Sequence, residues 1–434
     1  MMNSVWQDTK LPQFKNLKSD ISADVLIIGG GMAGILCAYM LKSAGIGCVL
    51  IEADRIFSGV SGYTTAKITS QHGLIYHKLV SKYGKEAARL YLDANEEAIK
   101  RFADMAKDID CDFEYKSAFC YSTNSSSKLE KELSALKSIG FNAEYQKHLP
   151  LPFHTCGAVE FKNQAQFDPL KFIKHIVKEL NIYENTKAIS FDGFSTITNN
   201  GKITADKTIV ATHFPILNKH GNYFLKMYQH RSYVLCLSGA KDVDGMYIDE
   251  DKKGLSFRNY KKYLLLGGGS HRTGKKGGNY SELEEFARAH YPTSTVNYRW
   301  ATQDCMTLDG IPYIGKYSKN TTDFYVATGF NKWGMTSSMI AADIMTDLVQ
   351  NKINKYTSLF SPSRSIIHPQ LALNALEAVT NILTPTAPRC PHMGCALKWN
   401  NTEHTWDCPC HGSRFEKSGK LIENPATDDL KNNR

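Results

Sequence analysis

What this 434-residue sequence lacks narrows the field first. It has no apolar stretch both long and uninterrupted enough to cross a bilayer. The longest, Val25 to Leu41, carries four glycines and reads better as strand, turn and helix. The first twenty residues hold no apolar core segment, so no secretory leader is expected and a cytoplasmic location is the default. There is no basic tract. Lys plus Arg number 52 against 43 Asp plus Glu, a formal charge of +9, but they come in dispersed pairs such as Lys261-Lys262 and Lys275-Lys276. That pattern argues against a nucleic-acid partner. No internal repeat is visible, and 42% hydrophobic residues exclude disordered, collagen-like and fibrous classes.

Cysteine is present but unevenly spread. Seven of the eleven are scattered singly and read as buried thiols; the other four, Cys390, Cys395, Cys408 and Cys410, crowd into 21 residues near the C-terminus. Helices are expected over 76–107, 127–139, 168–181, 335–350 and 370–383, with short strands through 186–270 and at 324–328.

Residues 24–31, DVLIIGGG, end an apolar, branched run in glycines; a helical pattern follows to Ala44, and Cys48–Glu52 reads as a second strand. This βαβ unit implies a parallel sheet and frames a G-x-G-x-x-G at Gly29, Gly31 and Gly34. Gly29 permits the tight turn, Gly31 lets backbone approach a pyrophosphate, and Gly34 allows close helix packing. Glu52, ending the next strand, can accept from ribose hydroxyls and disfavours a 2′-phosphate.

The fingerprint does not separate FAD from NAD, but further blocks do. They are Gly59-Val-Ser61-Gly62-Tyr-Thr64-Thr65-Ala66-Lys67, the strand end Ile209-Val-Ala211-Thr212, and Asp309–Gly315 followed by Ala327-Thr-Gly329-Phe330-Asn-Lys-Trp-Gly334-Met335-Thr336. In this order they resemble the FAD-dependent oxidoreductases of the D-amino-acid oxidase and glycine oxidase type. The resemblance implies FAD bound by Gly29, Gly31, Gly34, Glu52, Ser61, Thr64, Thr65, Ala211, Thr212, Gly329, Gly334, Met335 and Thr336. The amides of Gly334, Met335 and Thr336 would face the flavin pyrimidine edge, where a helix N-terminus stabilises negative charge. His213 stands where that family has a glycine, which bears on the tightness of the turn. Lys67 and His72, just after the flavin loop, are the candidate catalytic residues, and Tyr228 and Arg231 are candidates for binding a substrate carboxylate.

Near the C-terminus, Cys390-Pro-His392-Met-Gly-Cys395 and Cys408-Pro-Cys410-His411-Gly-Ser413 each offer one Cys and one His beyond the extra cysteine. Such a set can hold a [2Fe-2S] cluster; zinc is the competing reading, although zinc fingers usually segregate their Cys and His pairs. The segment 390–426 resembles the Rieske domain. The resemblance implies Cys390 and Cys408 on one iron, His392 and His411 on the other, and a Cys395–Cys410 disulfide. It also implies a hydroxyl at Ser413 bonded to cluster sulfide and a covering loop at Asn424-Pro425-Ala426; Phe415 stands where that family has a Tyr. The base strands expected before the first cluster loop are missing, so the loops are expected to rest on the flavin part, or on little.

The expected architecture is α/β. A Rossmann-type FAD-binding domain (parts about 20–75, 155–215 and 300–353) interleaves with a mixed antiparallel-sheet substrate domain (about 76–154 and 216–299). A connector with one helix (354–385) leads to a small, shortened all-β Rieske-like domain (386–434). The expected function is an FAD-dependent oxidoreductase, a dehydrogenase in preference to an oxidase. It would take hydride from a small amine or amino-acid-like substrate and pass electrons through the [2Fe-2S] cluster to an external acceptor, protein or quinone-like. The alternatives are a flavin/iron-sulfur relay or redox sensor, and a flavoenzyme whose C-terminal module binds zinc or no metal.

Overall fold

A computed structural model of the protein describes residues 3–217, 220–251, 254–385 and 388–431. Residue 386, where the C-terminal domain was expected to begin, lies outside them. The first sheet is built on the strand Ile21–Ile28, which pairs in parallel with Cys48–Ile51 on one side and Gly201–Val210 on the other. Phe324–Thr328 extends it in parallel beyond Gly201–Val210. The helix Met32–Ser43 runs between this sheet and the helix Gly334–Val349, and most of its residues are buried. That two-sided burial explains why its sequence is apolar nearly all round.

The second sheet is mixed, with nine strands in the order Thr295–Thr307, Met227–Ser238, Tyr263–Arg272, Ser256–Tyr260, Met246–Asp249, Glu114–Ser122, Gly157–Gln166 and Lys67–Ile68, and Glu144–Gln146 also on Gly157–Gln166. Three strands thus lie outside the part expected for them. Lys67–Ile68, Gly157–Gln166 and most of Thr295–Thr307 fall within the FAD-binding boundaries drawn from sequence, yet they hydrogen-bond into the second sheet. Short apolar strands look alike whichever sheet they join, because pairing partners are not encoded locally.

The expected helices form over Tyr76–Ala106, Ser127–Ser138, Pro169–Ile176, Gly334–Val349 and Pro369–Leu383. Asp168 caps the third by accepting from the amides of Leu170 and Lys171. A third, small sheet closes the chain, an antiparallel meander of Lys398–Asn400, Thr405–Asp407, Arg414–Glu416 and Leu421–Glu423.

Candidate functional site

At the first turn the glycines are required by space. Gly29 has φ of 115°, and a Cβ there would press on the Ala211 carbonyl; a Cβ on Gly34 would overlap the carbonyl oxygen of Gly29. The Glu52 carboxylate accepts from the Gly30 amide at 2.6 Å and the Asp54 amide at 3.0 Å. Burial raises its pKa against those two bonds. Ser61 Oγ accepts from the Met32 amide at 3.0 Å, which ties the flavin-loop segment to the helix N-terminus.

That loop is pinned from outside by three large donors. Trp6 Nε1 donates to the Thr64 carbonyl and Trp300 Nε1 to that of Tyr63, each at 2.8 Å. Arg258 Nη1 donates to the carbonyls of Thr65 and Ala66 at 2.7 and 2.8 Å. Arg258 is fully buried, its guanidinium 5.5 and 5.9 Å from the Trp6 and Tyr260 rings, which themselves meet edge-on at 4.6 Å. An N-terminal segment that carried no sequence signal therefore shapes the site.

A cavity of about 1370 Å³ runs from Glu52 past the loop to the start of the Gly334–Val349 helix. Gly29, Gly31, Glu52, Ser61, Thr64, Thr65, Ala211, Thr212, Gly329, Gly334 and Met335 all line it. Gly34 serves packing, and Thr336 turns away, with its Oγ1 3.3 Å from His72 Nε2. A glycine cradle, a buried carboxylate at the end of the second strand and a helix start without a side-chain cap together fit a dinucleotide, whose ribose Glu52 would hold and whose ring the start of the Gly334–Val349 helix would face. His213 adopts φ of 65°, the left-handed conformation its glycine counterpart would take, so the turn stays tight despite the side chain.

The two candidate catalytic residues differ. Lys67 lines the cavity 3.3 Å from Thr65 Oγ1, and burial, then Arg258, lowers its pKa to about 7. His72 is spoken for at both nitrogens, by Tyr91 Oη at 2.6 Å and the Thr69 carbonyl at 2.8 Å. Its ring stacks on Trp333 at 4.7 Å, and burial lowers its pKa to about 3. No nitrogen of His72 is left to take a substrate proton. Sequence reasoning missed Lys332 and Asp304. Lys332, at φ of 75°, donates to Ser232 Oγ and Ser270 Oγ in the cavity; burial lowers its pKa and nearby Asp304 opposes that. The two glycines bracketing 329–334 were the available sequence signal, but that Asn331 and Lys332 are both left-handed, which shapes the turn, is seen only in the structure.

The two C-terminal loops are built alike. Cys390 N donates to Cys395 O and Cys408 N to Ser413 O; Gly394 N returns to Cys390 O and Gly412 N to Cys408 O, all at 2.8–2.9 Å. Both glycines are left-handed, which the shared C-P-x-x-G spacing requires. The loops bring the Cys390 and Cys408 sulfurs within hydrogen-bonding reach, with Ser413 also on Cys390. The His392 and His411 rings lie 4.9 Å apart, and His411 Nδ1 is buried with no hydrogen-bond partner. A pair of cysteines and a pair of imidazoles on two matching loops, with a ring nitrogen left unbonded, fit the mixed ligation of a [2Fe-2S] cluster, whereas the compact cysteine group among the described residues, Cys395, Cys408 and Cys410, has two of its sulfurs tied in the disulfide. Cys395 and Cys410 are disulfide-bonded beside them, Cα atoms 6.8 Å apart. Ala426 N donates to Ser413 Oγ at 2.9 Å, so the Asn424–Ala426 segment closes over the loops.

The missing base is supplied by the second sheet. Gln229 Nε2 donates to the His411 and Asn424 carbonyls at 2.8 and 3.0 Å, and Gln303 Nε2 to the Gly412 carbonyl at 2.8 Å. Arg272 donates to the carbonyls of Pro409 and Cys410 at 3.0 and 2.9 Å. Arg231, a candidate for a substrate carboxylate, instead meets Glu403 and, at 3.2 Å, Glu423 of the C-terminal module. The sequence-level chemistry holds, but the carboxylates belong to the same chain. Tyr228, its co-candidate, faces the cavity. Asn424 Nδ2 donates to the carbonyls of Thr212 and Phe214 at 2.7 and 2.9 Å, and the Phe214 ring lies 6.2 and 6.3 Å from the His392 and His411 rings.

Comparison with known proteins finds two families along the chain, the second starting at residue 370, within the segment read from sequence as a connector. Residues 24–348 match the family described as FAD dependent oxidoreductase, and residues 370–434 match the Rieske [2Fe-2S] domain. The Bacillus subtilis (strain 168) protein named "Putative Rieske 2Fe-2S iron-sulfur protein YhfW" is 35% identical over 98% of this chain and 96% of its own length. The cytochrome b6-f complex iron-sulfur subunit of Trichodesmium erythraeum (strain IMS101) is 46% identical over 37 residues, 8% of this chain and 21% of that protein. Among solved structures, glycine oxidase from Geobacillus kaustophilus superposes with a TM-score of 0.68 at 17% identity, covering 79% of this chain and 99% of that one. L-proline dehydrogenase from P. horikoshii gives 0.67 at 16% identity, covering 80% and 98%. At these identities the two structures speak for the fold.

Proposed function

The chain belongs to the FAD-dependent oxidoreductase family and carries a Rieske [2Fe-2S] domain, and from that premise we propose that it is a dehydrogenase. In this reading it oxidises a small amine or amino-acid-like compound and sends the electrons out through the cluster to an external acceptor. FAD, when bound, supplies a two-electron acceptor able to release electrons singly. The observation that carries the reading is the double use of one strand. Along Met227–Ser238, Tyr228, His230 and Ser232 line the cavity, while Gln229 and Arg231 hold the cluster module. Side chains alternate across a strand, so this one strand serves the cavity and the cluster module together, and Glu423, Asn424 and Ala426 of the module reach the cavity wall as well. Phe214 shortens the gap further, two residues from cavity-lining Thr212 and beside both histidine rings.

Lys67 and Lys332 support a substrate bearing a carboxylate, since both put ammonium groups into the cavity. Two structural neighbours are named for glycine and L-proline, which favours the same class. We assign Lys67 to substrate contact and His72 to positioning of Trp333. The seven cysteines outside the C-terminal module are all free thiols, in keeping with a cytoplasmic setting.

The test is an anaerobic screen of amines and amino acids with flavin absorbance and low-temperature EPR read on one sample, and iron and zinc quantified. Flavin bleaching that brings up a rhombic Rieske-type signal supports the reading. Bleaching with no cluster signal, or zinc in place of about two irons per chain, refutes it.

A further inference from the structure

The helix Pro369–Leu383 is turned inside out. Its buried residues are Asn374 and Asn381. Arg272 Nη1 donates to Asn374 Oδ1 at 2.9 Å, and Ala396 N donates to the Asn381 carbonyl at 2.9 Å. Glu377, the helix's one charged residue, pairs with Lys275 at 2.7 Å. The outward face instead carries Leu373, Leu376, Val379, Ile382 and Leu383, with Leu376 65% and Leu383 74% exposed, and Ile367 just upstream is 86% exposed. A surface helix ordinarily does the reverse. A contiguous apolar face of this kind marks a contact surface.

We propose that this face docks on an anionic lipid bilayer, with the helix lying in the plane of the headgroups. Charge around it favours that occupant. Lys276 is exposed beside the Lys275–Glu377 pair, exposed Lys82 lies near His368 at the helix start, and Arg389 sits at its end, donating to the Ile382 carbonyl at 2.8 Å. The chain as a whole carries +9. An apolar stripe rimmed by cations is the pattern of interfacial helices, attracted by anionic lipid and inserted to headgroup depth. A second copy of the chain is a poorer fit, because six apolar side chains on one helix fall well short of the roughly 20–30 residues a side of a stable interface. The face is continuous with the cluster loop. Arg389 Nη1 also donates to the Gly394 carbonyl at 2.9 Å, and Met393, beside His392, is 40% exposed. Docking would therefore lay the cluster loop against the membrane surface, although the docking itself does not depend on the electron route proposed above.

The experiment is flotation of the purified holoprotein with vesicles of phosphatidylcholine alone and of phosphatidylcholine with phosphatidylglycerol. The wild type should float with the anionic vesicles only, and added salt should release it. Leu376→Glu should lower the bound fraction about tenfold or more, while its flavin and cluster spectra stay those of the wild type. Failure of the wild type to float, or equal flotation of Leu376→Glu, overturns the proposal. So does a dimer in size-exclusion light scattering that Leu376→Glu converts to monomer without any vesicle binding, because a second copy would then own the face.

Discussion

Replacing Arg231 by Met should loosen the C-terminal module without unfolding the rest. Arg231 and Arg414 are the two cations of a buried network with three carboxylates, Glu403, Glu423 and Asp407. The side chains of Arg231, Arg414, Glu403 and Asp407 are each at most 3% exposed. Burial pushes the Glu403 carboxyl up, but Arg231 and then Arg414 outweigh it and hold the group down to about 2 from an ordinary 4.5. At about 1.36 kcal/mol per pH unit, that difference amounts to about 3 kcal/mol. Removing one partner of a buried pair costs about 3–5 kcal/mol by the general rule, so the two routes agree. Because Arg231 alone comes from the second sheet, most of its loss falls on docking. At 1.4 kcal/mol per tenfold, the opening equilibrium shifts by about two orders of magnitude. Hydrogen exchange reads this directly. Amides in Lys398–Asn400, Thr405–Asp407 and Arg414–Glu416 should exchange about 100-fold faster in Arg231→Met, and those of Ile21–Ile28 should not change. Arg231→Met leaves Arg414 alone against three carboxylates, and adding Glu403→Gln relieves that excess and should restore at least about tenfold of the protection. The sign of the pH effect is fixed too. A carboxyl depressed by folding contributes fully above about 4.5 and loses its contribution as pH falls toward 2. A change below about threefold in Arg231→Met, or a double variant as loose as the sum of the singles, would refute the reasoning.

Other substitutions read the remaining parts. Gly34→Ala places a methyl on the Gly29 carbonyl, so the purified protein should retain little or no FAD, measured as flavin released per chain. Cys408→Ser should lose iron from about two per chain to near zero while flavin content holds, by metal analysis and absorbance on one sample. In Lys67→Met, the apparent KM for a carboxylate-bearing substrate should rise and lose its pH dependence. In the wild type that KM should climb above pH 7, where the ammonium, lowered to about 7, gives up its proton. An unchanged pH profile in Lys67→Met would remove this lysine from the site.

Local pattern carried much of this into the sequence. The Gly29–Gly34 turn and the paired C-P-x-x-G loops have spacing fixed by one chemistry each, and local backbone geometry executes both. Long-range pairing was not legible. Gly157–Gln166 and Thr295–Thr307 read as strands, but nothing within them names the sheet they join. The pinning of the flavin loop by Trp6, Trp300 and Arg258 crosses 58 to 237 residues, and no window of sequence spans it. Arg231 shows the intermediate case. A lone arginine in an apolar strand announces a carboxylate partner, yet whether a substrate or Glu403 supplies it depends on the C-terminal module's position.

That position accounts for the shortened domain. A cluster loop needs its backbone carbonyls satisfied and its histidines held, which a separate base sheet could provide. Here Gln229, Gln303 and Arg272 donate to the carbonyls of His411, Gly412, Pro409 and Cys410 from the sheet that walls the flavin cavity. Gln303 in turn donates to Gln229 Oε1 at 2.9 Å and accepts from Thr273 Oγ1 at 2.9 Å, so the donors are themselves fixed. Strands that would insulate the loops from the flavin part are thereby replaced by the flavin part itself. The cost is autonomy, since residues 388–431 carry few buried apolar side chains of their own and would expose these carbonyls if released. The gain is proximity, because Glu423, Asn424 and Ala426 of the module line the flavin cavity itself, which is the short path the proposed electron route requires. A C-terminal fragment expressed alone should therefore bind no stable cluster, whereas supplying the fragment in trans to residues 1–353 should recover it in proportion to complex formed.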